Sequence, residues 1–371
     1  NGISQLMSNL WLKGTKTKSS QDIAEFIESR GMQLWTDSGR NSFGLRMNFL
    51  KEDLEDAFGI MADIVHNPTF PSDELDQLKE LTKVSIHKRK DSIQRFSFWH
   101  LNKALFTQHP YRMAAEGEVE SIDKIDVQQV KDFYARLRTP GNMVMSVVGD
   151  IDTEQILEKG KKVFGQLPGT SLELTTLSAE EITVPIESEI SLDKEQAMIC
   201  VGFQGTEIKS EDRYGLDILM SILGSSFSGR LFNKVREEMG QAYTLSGYSM
   251  PGIGEGGIYI YVLSKSENLD SLKEVIQKEI EDVRRNGVKD KEFEDAKRYL
   301  KGNFKADLQT NADLAFQATL DELYGIGFDH YLSYDKVIDG VTKDSLKELA
   351  LKYLNWDQSV IILTKPEKKE E

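Results

Sequence analysis

The sequence predicts an α+β protein built from two copies of one domain, and three observations carry that expectation. The first is an internal repeat. IDKIDVQQVKDFYARLRTPGNMVMSVV, starting at Ile122, aligns without gaps with IDGVTKDSLKELALKYLNWDQSVIILT, starting at Ile338, an offset of 216 residues. Within it Ile125 pairs with Val341, Val130 with Leu346, Lys131 with Lys347, Asp132 with Glu348 and Phe133 with Leu349. PSDELDQLK (71–79) and KDKEFEDAK (289–297) repeat at an offset of 218 when Glu74 is matched to Glu292. A period this long marks a domain duplication rather than a solenoid; the alternative is chance, since helical patterns mimic one another.

The second observation is the order of elements. In the second half EISL and AMICVGFQG read as strands, 211–224 and 227–239 as helices, and AYTLSGYSM and GGIYIYVLS as strands. Three helices follow between about 266 and 325, then the helix TKDSLKELALKYL and the strand SVIILT. Strands in pairs with helices grouped between them favour a layered α+β domain over a strictly alternating parallel sheet. The third observation is the stretch from about 165 to 190, which lacks helical periodicity and mixes Pro, Gly, Ser and Thr as linkers do. The expected division is a first domain at 1–175, a linker at 176–190 and a second domain at 191–371.

At 371 residues, 39% hydrophobic and 29% charged, the chain is ordinary globular material, long enough for two domains. No membrane span is visible in it. The net charge of -15 disfavours nucleic acid, because phosphate binding relies on basic patches, and tolerates a basic or polypeptide ligand better. A single cysteine, Cys200, rules out an internal disulfide framework and, inside an apolar strand, reads as a core residue.

The most informative segment is GISQLMSNLWLKGT (2–15). It is built like the zinc helix of a metallopeptidase, where H-x-x-E-H places two His one turn apart to bind zinc and a Glu to work on the bound water. Here those places read Gln5, Ser8 and Asn9. Amides and a hydroxyl are weak, neutral zinc ligands, and without a carboxylate at position 8 nothing takes a proton from a metal-bound water.

The segment resembles G-x-A-H-F-L-E-H-M-L-F-K-G-T of the insulinase and pitrilysin superfamily, which includes the mitochondrial processing peptidase and small bacterial relatives. Gly2, Leu10, Leu12, Lys13, Gly14 and Thr15 fall in place, and GMQLWTDSGRNSF (31–43) continues the match at Gly31, Leu34 and Arg40. The same register carries the family's third ligand, a helical Glu, to Ser85. The resemblance implies domains that are each a mainly antiparallel sheet covered by helices. It also places two strands before the zinc helix, so the first domain is expected to be truncated at its start, with any targeting sequence outside the sequence given.

LGSSFSGRLFNKVREEMGQAYTLSGY (223–248) resembles the family's G-x-S-S-R-L-F-x-x-(I/V)-R-E-x-x-G-L-A-Y, the most specific match in the chain. In the family an Arg and a Tyr seven residues later contact substrate and steady charge at the scissile carbonyl, which makes Arg236 and Tyr243 the candidate catalytic pair. Amide hydrolysis builds an oxyanion that an aimed phenol or guanidinium stabilises, and a forked, permanently charged Arg also holds peptide carbonyls. The plain alternative is a solvated helix Arg beside Glu237 and Glu238, and a strand Tyr with a wet hydroxyl.

Other motifs read as structure. GIGEGG (252–257) fits a dinucleotide pattern but lies between two strands, so it is a hairpin loop. The family's non-catalytic subunit uses a glycine-rich segment to admit substrate; the matching Gly224–Gly229 is poorer in glycine. His66, His87, His100, His109 and His330 show no ligand-like spacing, and His109 reads as structural. The stretches EFEDAK and KEVIQKEIEDV fit solvated helix faces.

Together these imply a zinc-less subunit, inactive alone, that lends Arg236 and Tyr243 in trans to a homologous zinc-bearing partner in a heterodimer accepting peptides or unfolded polypeptides. No metal is expected in this chain and zinc is expected in the partner. The rivals are a scaffold subunit with both sites decayed and a peptide-binding protein that does not cut. The leaning on origin is bacterial, periplasmic or cytoplasmic.

Overall fold

The computed structural model describes residues 1–167 and 177–367; residues 168–176, the early part of the linker-like stretch and the first residue of the expected linker, lie outside them. In chain order the elements are α1 (Ile3–Trp11), α2 (Ser20–Glu28), β1 (Gln33–Ser38), β2 (Phe43–Asn48), α3 (Leu54–His66), α4 (Ser72–His87), α5 (Ile93–Leu105), α6 (Val119–Asp123), α7 (Val127–Leu137) and α8 (Thr153–Phe164). Then follow β3 (Ile186–Leu192), β4 (Ala197–Gln204), α9 (Asp212–Met220), β5 (Thr244–Met250), β6 (Gly257–Ser264), α10 (Leu269–Asn286), α11 (Asp290–Ala306), α12 (Asn311–Leu323), α13 (Tyr334–Gly340), α14 (Lys343–Tyr353) and β7 (Val360–Pro366). Two π-helical segments, Ser221–Ser225 and Phe232–Glu238, lie between α9 and β5. This is the α+β class that the paired strands announce.

Two compact units emerge. The first gathers Asn1–His87, Ala114–Thr175 and Leu308–Asp329; the second gathers Lys88–Met113, Thr176–Asp307 and His330–Glu371. In the first, β1 and β2 form an antiparallel ribbon from Gln33↔Asn48 to Ser38↔Phe43. Its core joins Leu6, Met7, Leu10 and Trp11 of α1 to Ile60 and Ile64 of α3 and Val130 and Tyr134 of α7. In the second, five strands run in the order β3-β7-β4-β6-β5, with β3 and β7 parallel and the other neighbours antiparallel.

β4 explains its own sequence. Ala197, Ile199, Val201 and Phe203 pack with α9, α10 and α14, while Met198 and Cys200 pack with Leu101, Leu105 and Phe106 of the α5 region on the other face. A strand covered on both sides must read as a continuous apolar run. Cys200 is accordingly a core residue, its thiol pushed up by burial.

The repeat survives at the level of single atoms. α7 and α14 begin at equivalent capping boxes, Asp126 with Gln129 and Thr342 with Ser345. Lys79 Nζ donates to the carbonyls of Asp123 and Ile125 (2.9 and 3.0 Å), and Lys297 Nζ to those of Asp339 and Val341 (3.0 and 3.1 Å). One turn on, Lys83 pairs with Asp123 at 3.0 Å and Lys301 with Asp339 at 2.7 Å. The copies differ at their ends: Ser359–Thr364 supplies most of β7, whereas residues 143–148 form no strand.

Candidate functional site

α1 presents the would-be zinc helix. Leu6, Met7 and Leu10 point into the core and Trp11 Nε1 donates to the carbonyl of Ile64 at 3.0 Å, so the helix is fixed by its apolar face. Gln5 is half-buried and Asn9 exposed, and α1 packs against α4, which carries the half-buried Ser85. Ser8 is 1% exposed and its hydroxyl has no hydrogen-bond partner. These donors do not fit zinc: two amides and two hydroxyls offer no imidazole, thiolate or carboxylate. Among the described residues no group of three His, Cys, Asp or Glu could hold a metal ion.

What the segment keeps is architectural. Asp63 of α3 accepts from the hydroxyls of Thr15 and Thr17 (both 2.6 Å) and from the Asn67 amide (2.9 Å). Burial works to raise the Asp63 carboxyl, but these three bonds outweigh it and hold it below its usual range. Lys13 reaches Glu74 of α4 at 3.2 Å. Lys13 and Thr15 thus tie the end of α1 to α4 and α3.

Arg236 and Tyr243 lie in the second unit, on either side of a fixed turn. Arg236 is exposed on the π-helical segment Phe232–Glu238, its guanidinium carbon 5.2 Å from the centre of the Phe232 ring. At Gly240 the chain takes φ +64°, a left-handed conformation that favours glycine. Met239 N donates to the carbonyl of Lys234 (3.1 Å), Gln241 N to that of Val235 (3.0 Å), and Ser264 Oγ to that of Gln241. Tyr243 N donates to Leu263 O at 2.9 Å, seating the residue at the start of the sheet-edge strand β5, with its side chain 54% exposed. Both side chains are therefore exposed, on a backbone tied at Met239, Gln241 and Tyr243.

The same segment buries a charge that the sequence reading passes over. Arg230 donates from Nε and Nη2 to Glu292 and from Nη1 to Asp282, with Glu279 at the margin. This corrects the expectation that EFEDAK and KEVIQKEIEDV are wholly solvated faces, because Glu292, Glu279 and Asp282 converge on one cation and Lys297 is buried. The signal was spacing on helices far apart in sequence, which pairs no charges locally. GIGEGG joins β5 to β6 as a hairpin connection. His109 is buried and its Nδ1 accepts from the Tyr111 N–H at 3.2 Å, a structural histidine.

The positions that the resemblance assigns to zinc thus carry no zinc-binding side chain. Comparison with known proteins gives the chain a family. Residues 1–118 match the insulinase (peptidase family M16) model and residues 124–300 match that of the peptidase M16 inactive domain. The chain belongs to the M16, insulinase-type, peptidase family. It is 28% identical over 354 residues to the uncharacterized zinc protease YmxG of Bacillus subtilis, covering 94% of this chain and 84% of that one. It is 24% identical over 309 residues to the non-peptidase homolog YmxG of Helicobacter pylori, covering 81% and 70%. A crystal structure of a peptidase M16 inactive domain from Pseudomonas fluorescens superposes with a TM-score of 0.91 at 24% identity, covering 100% of this chain and 89% of that one. No helix among the described residues is long and apolar enough to cross a membrane.

Proposed function

We propose that the chain is the zinc-less subunit of a heterodimeric insulinase-type endopeptidase, supplying Arg236 and Tyr243 in trans to a homologous partner that carries H-x-x-E-H. One asymmetry supports the reading: the donors on α1 and α4 cannot hold zinc, while the carbonyl-directed pair is retained, exposed and held on a fixed turn. Arg236 holds a backbone carbonyl of an extended peptide, and the Tyr243 phenol donates to the oxygen that becomes negative as the amide is attacked. The substrate is a peptide or an unfolded polypeptide.

The test is complementation. The purified chain with zinc and a fluorogenic peptide gives no turnover, and activity appears only when an H-x-x-E-H homologue is added. Tyr243→Phe then lowers the rate of the mixture by about 10- to 1000-fold, the range for losing one oxyanion donor. A mixture indifferent to that change would favour a scaffold role, a reading to which the non-peptidase name of the Helicobacter pylori relative also lends weight.

A further inference from the structure

In the first unit, where the loop after α1 meets the end of α3 and α7, Lys16, His66, Lys131 and Arg138 wall a cavity of about 180 Å³ together with Phe70 and Tyr134. Each basic residue is set by its own local structure. The Lys16 N–H donates to Asn67 O at 2.9 Å, which ties the loop to the chain just past α3. His66, the last residue of α3, stacks on Phe164 with ring centroids 5.9 Å apart and donates from Nε2 to the Val163 carbonyl at 2.7 Å, leaving Nδ1 for another partner. Arg138 donates from Nη1 to the carbonyls of Val65 (2.8 Å) and His66 (3.0 Å), closing the C-terminus of α3 as basic side chains do. Its Nε is buried and has no hydrogen-bond partner among the described residues.

The charges around this cavity are unbalanced in a chain whose net charge is -15. In the same unit Lys13 pairs with Glu74 and Lys159 with Glu55, whereas Lys16, Lys131 and Arg138 join no ion pair among the described residues. Asp63, one turn before His66, is already engaged by Thr15, Thr17 and Asn67. Like charges gathered without a carboxylate repel one another, and a bound anion recovers that cost. Nor does the fold require the basic lining. The repeat sets Leu354 opposite Arg138 and Ala350 opposite Tyr134, both fully buried, so the second copy builds the same helix from apolar residues. We infer that the cavity is an anion site that takes a phosphate group, free or as a small monoester. Three permanent cations suit a dianion, the Arg138 guanidinium offers the forked donors that phosphate oxygens accept, and the space equals that of about six waters. Arg236 and Tyr243 belong to the other unit, so this site does not depend on the reading given to them above.

The experiment is isothermal titration of the full chain, in low-salt buffer, with inorganic phosphate, phenyl phosphate and acetate. A phosphate species binds one site with a dissociation constant of about 1 mM or tighter, and acetate binds about 10-fold more weakly. Arg138→Leu, which installs the residue of the second copy, weakens phosphate about 10-fold or more, the effect of losing a charged donor. Arg138 also closes α3, so the variant Lys16→Gln/Lys131→Gln, changed at two exposed positions, carries the test if Arg138→Leu does not fold. It weakens phosphate about 10-fold, while Lys336→Gln, at an exposed lysine of the second unit, changes it by less than about 2-fold. Tighter binding of phenyl phosphate than of inorganic phosphate identifies an ester as the ligand, and the reverse order identifies the free ion; both uphold the site. No binding of either phosphate by about 10 mM overturns the inference. So does a Lys16→Gln/Lys131→Gln chain that binds phosphate as the unaltered one does, or an equal loss in Lys336→Gln, which would reduce the effect to general surface charge.

Discussion

Arg230 and Glu292 meet through two parallel hydrogen bonds, Nε to Oε1 at 3.0 Å and Nη2 to Oε2 at 2.8 Å, with only 10% of the arginine side chain exposed. The forked geometry matches guanidinium to carboxylate, and Asp282 takes the remaining edge at 2.7 Å. The segment bearing the candidate pair is thereby bolted to α10 and α11.

Arg230→Met should cost about 3 kcal/mol at pH 7, since it strands carboxylates in a partly buried place. Burial works to raise Glu292, but its bonds to Arg230 and to the Lys289 N–H hold it below 4.5. A depressed carboxyl stabilises the fold above its unfolded pKa, and that contribution is lost as pH falls through the folded value. In Arg230→Met the depression disappears and protonation relieves the stranded charge. Urea midpoints should therefore differ strongly at pH 7 and much less at pH 4; an equal gap at both would refute the account.

Lys297 is buried with its ammonium on two carbonyls, whereas Lys79, its counterpart, is half-buried. Lys297→Met should cost about 2 kcal/mol, because two oriented carbonyls lose a charged donor, and Lys79→Met about half as much. The neighbouring Lys301–Asp339 pair is more exposed, and Lys301→Met should move stability by about 0.5 kcal/mol or less. Chemical denaturation of the three variants ranks them.

Ser8→Ala removes a buried hydroxyl that has no hydrogen-bond partner, and should stabilise the chain by about 1 kcal/mol. A lower thermal midpoint for the variant would mean that the hydroxyl is satisfied in solution.

Asp217 on α9 is pushed up to about 7 by burial, a rise that the nearby Arg213 only partly opposes. Between 3.8 and about 7 the folded chain keeps a proton that the unfolded chain has released, so stability falls with rising pH across that window and levels off above it. Asp217→Asn should remove this slope and be more stable than the unaltered chain at pH 8 by about 4 kcal/mol. Tyr334, itself pushed up by burial and by Asp217, should titrate closer to its usual range in the variant.

Sequence legibility followed the kind of information each feature needs. The strands AMICVGFQG and GGIYIYVLS were readable from apolar runs, the three helices between about 266 and 325 from the order of elements, and the duplication from paired residues such as Val130 and Leu346. That Gln5, Ser8, Asn9 and Ser85 are poor zinc ligands turns on residue type alone and needs no structure. The π-helical segments were not readable, since switching a hydrogen bond from i-4 to i-5 leaves the apolar pattern nearly unchanged. Nor was the grouping of α12 with the first unit, where Tyr324 Oη lies 2.8 Å from Ser42 Oγ, because an amphipathic face does not name its partner. The Arg230 cluster joins residues 62 apart, beyond any local charge rule. For Arg236 and Tyr243 the sequence supplies residue types only; the exposure of both side chains comes from the structure.

The repeat leaves one asymmetry with a practical side. Ser359–Thr364 is locked into a five-stranded sheet, while its counterpart, residues 143–148, runs through Val144, Met145 and Val147 with no ladder partner among the described residues and Met145 45% exposed. A chain cut before Val360 would therefore leave β3 without its neighbour and open one flank of β4.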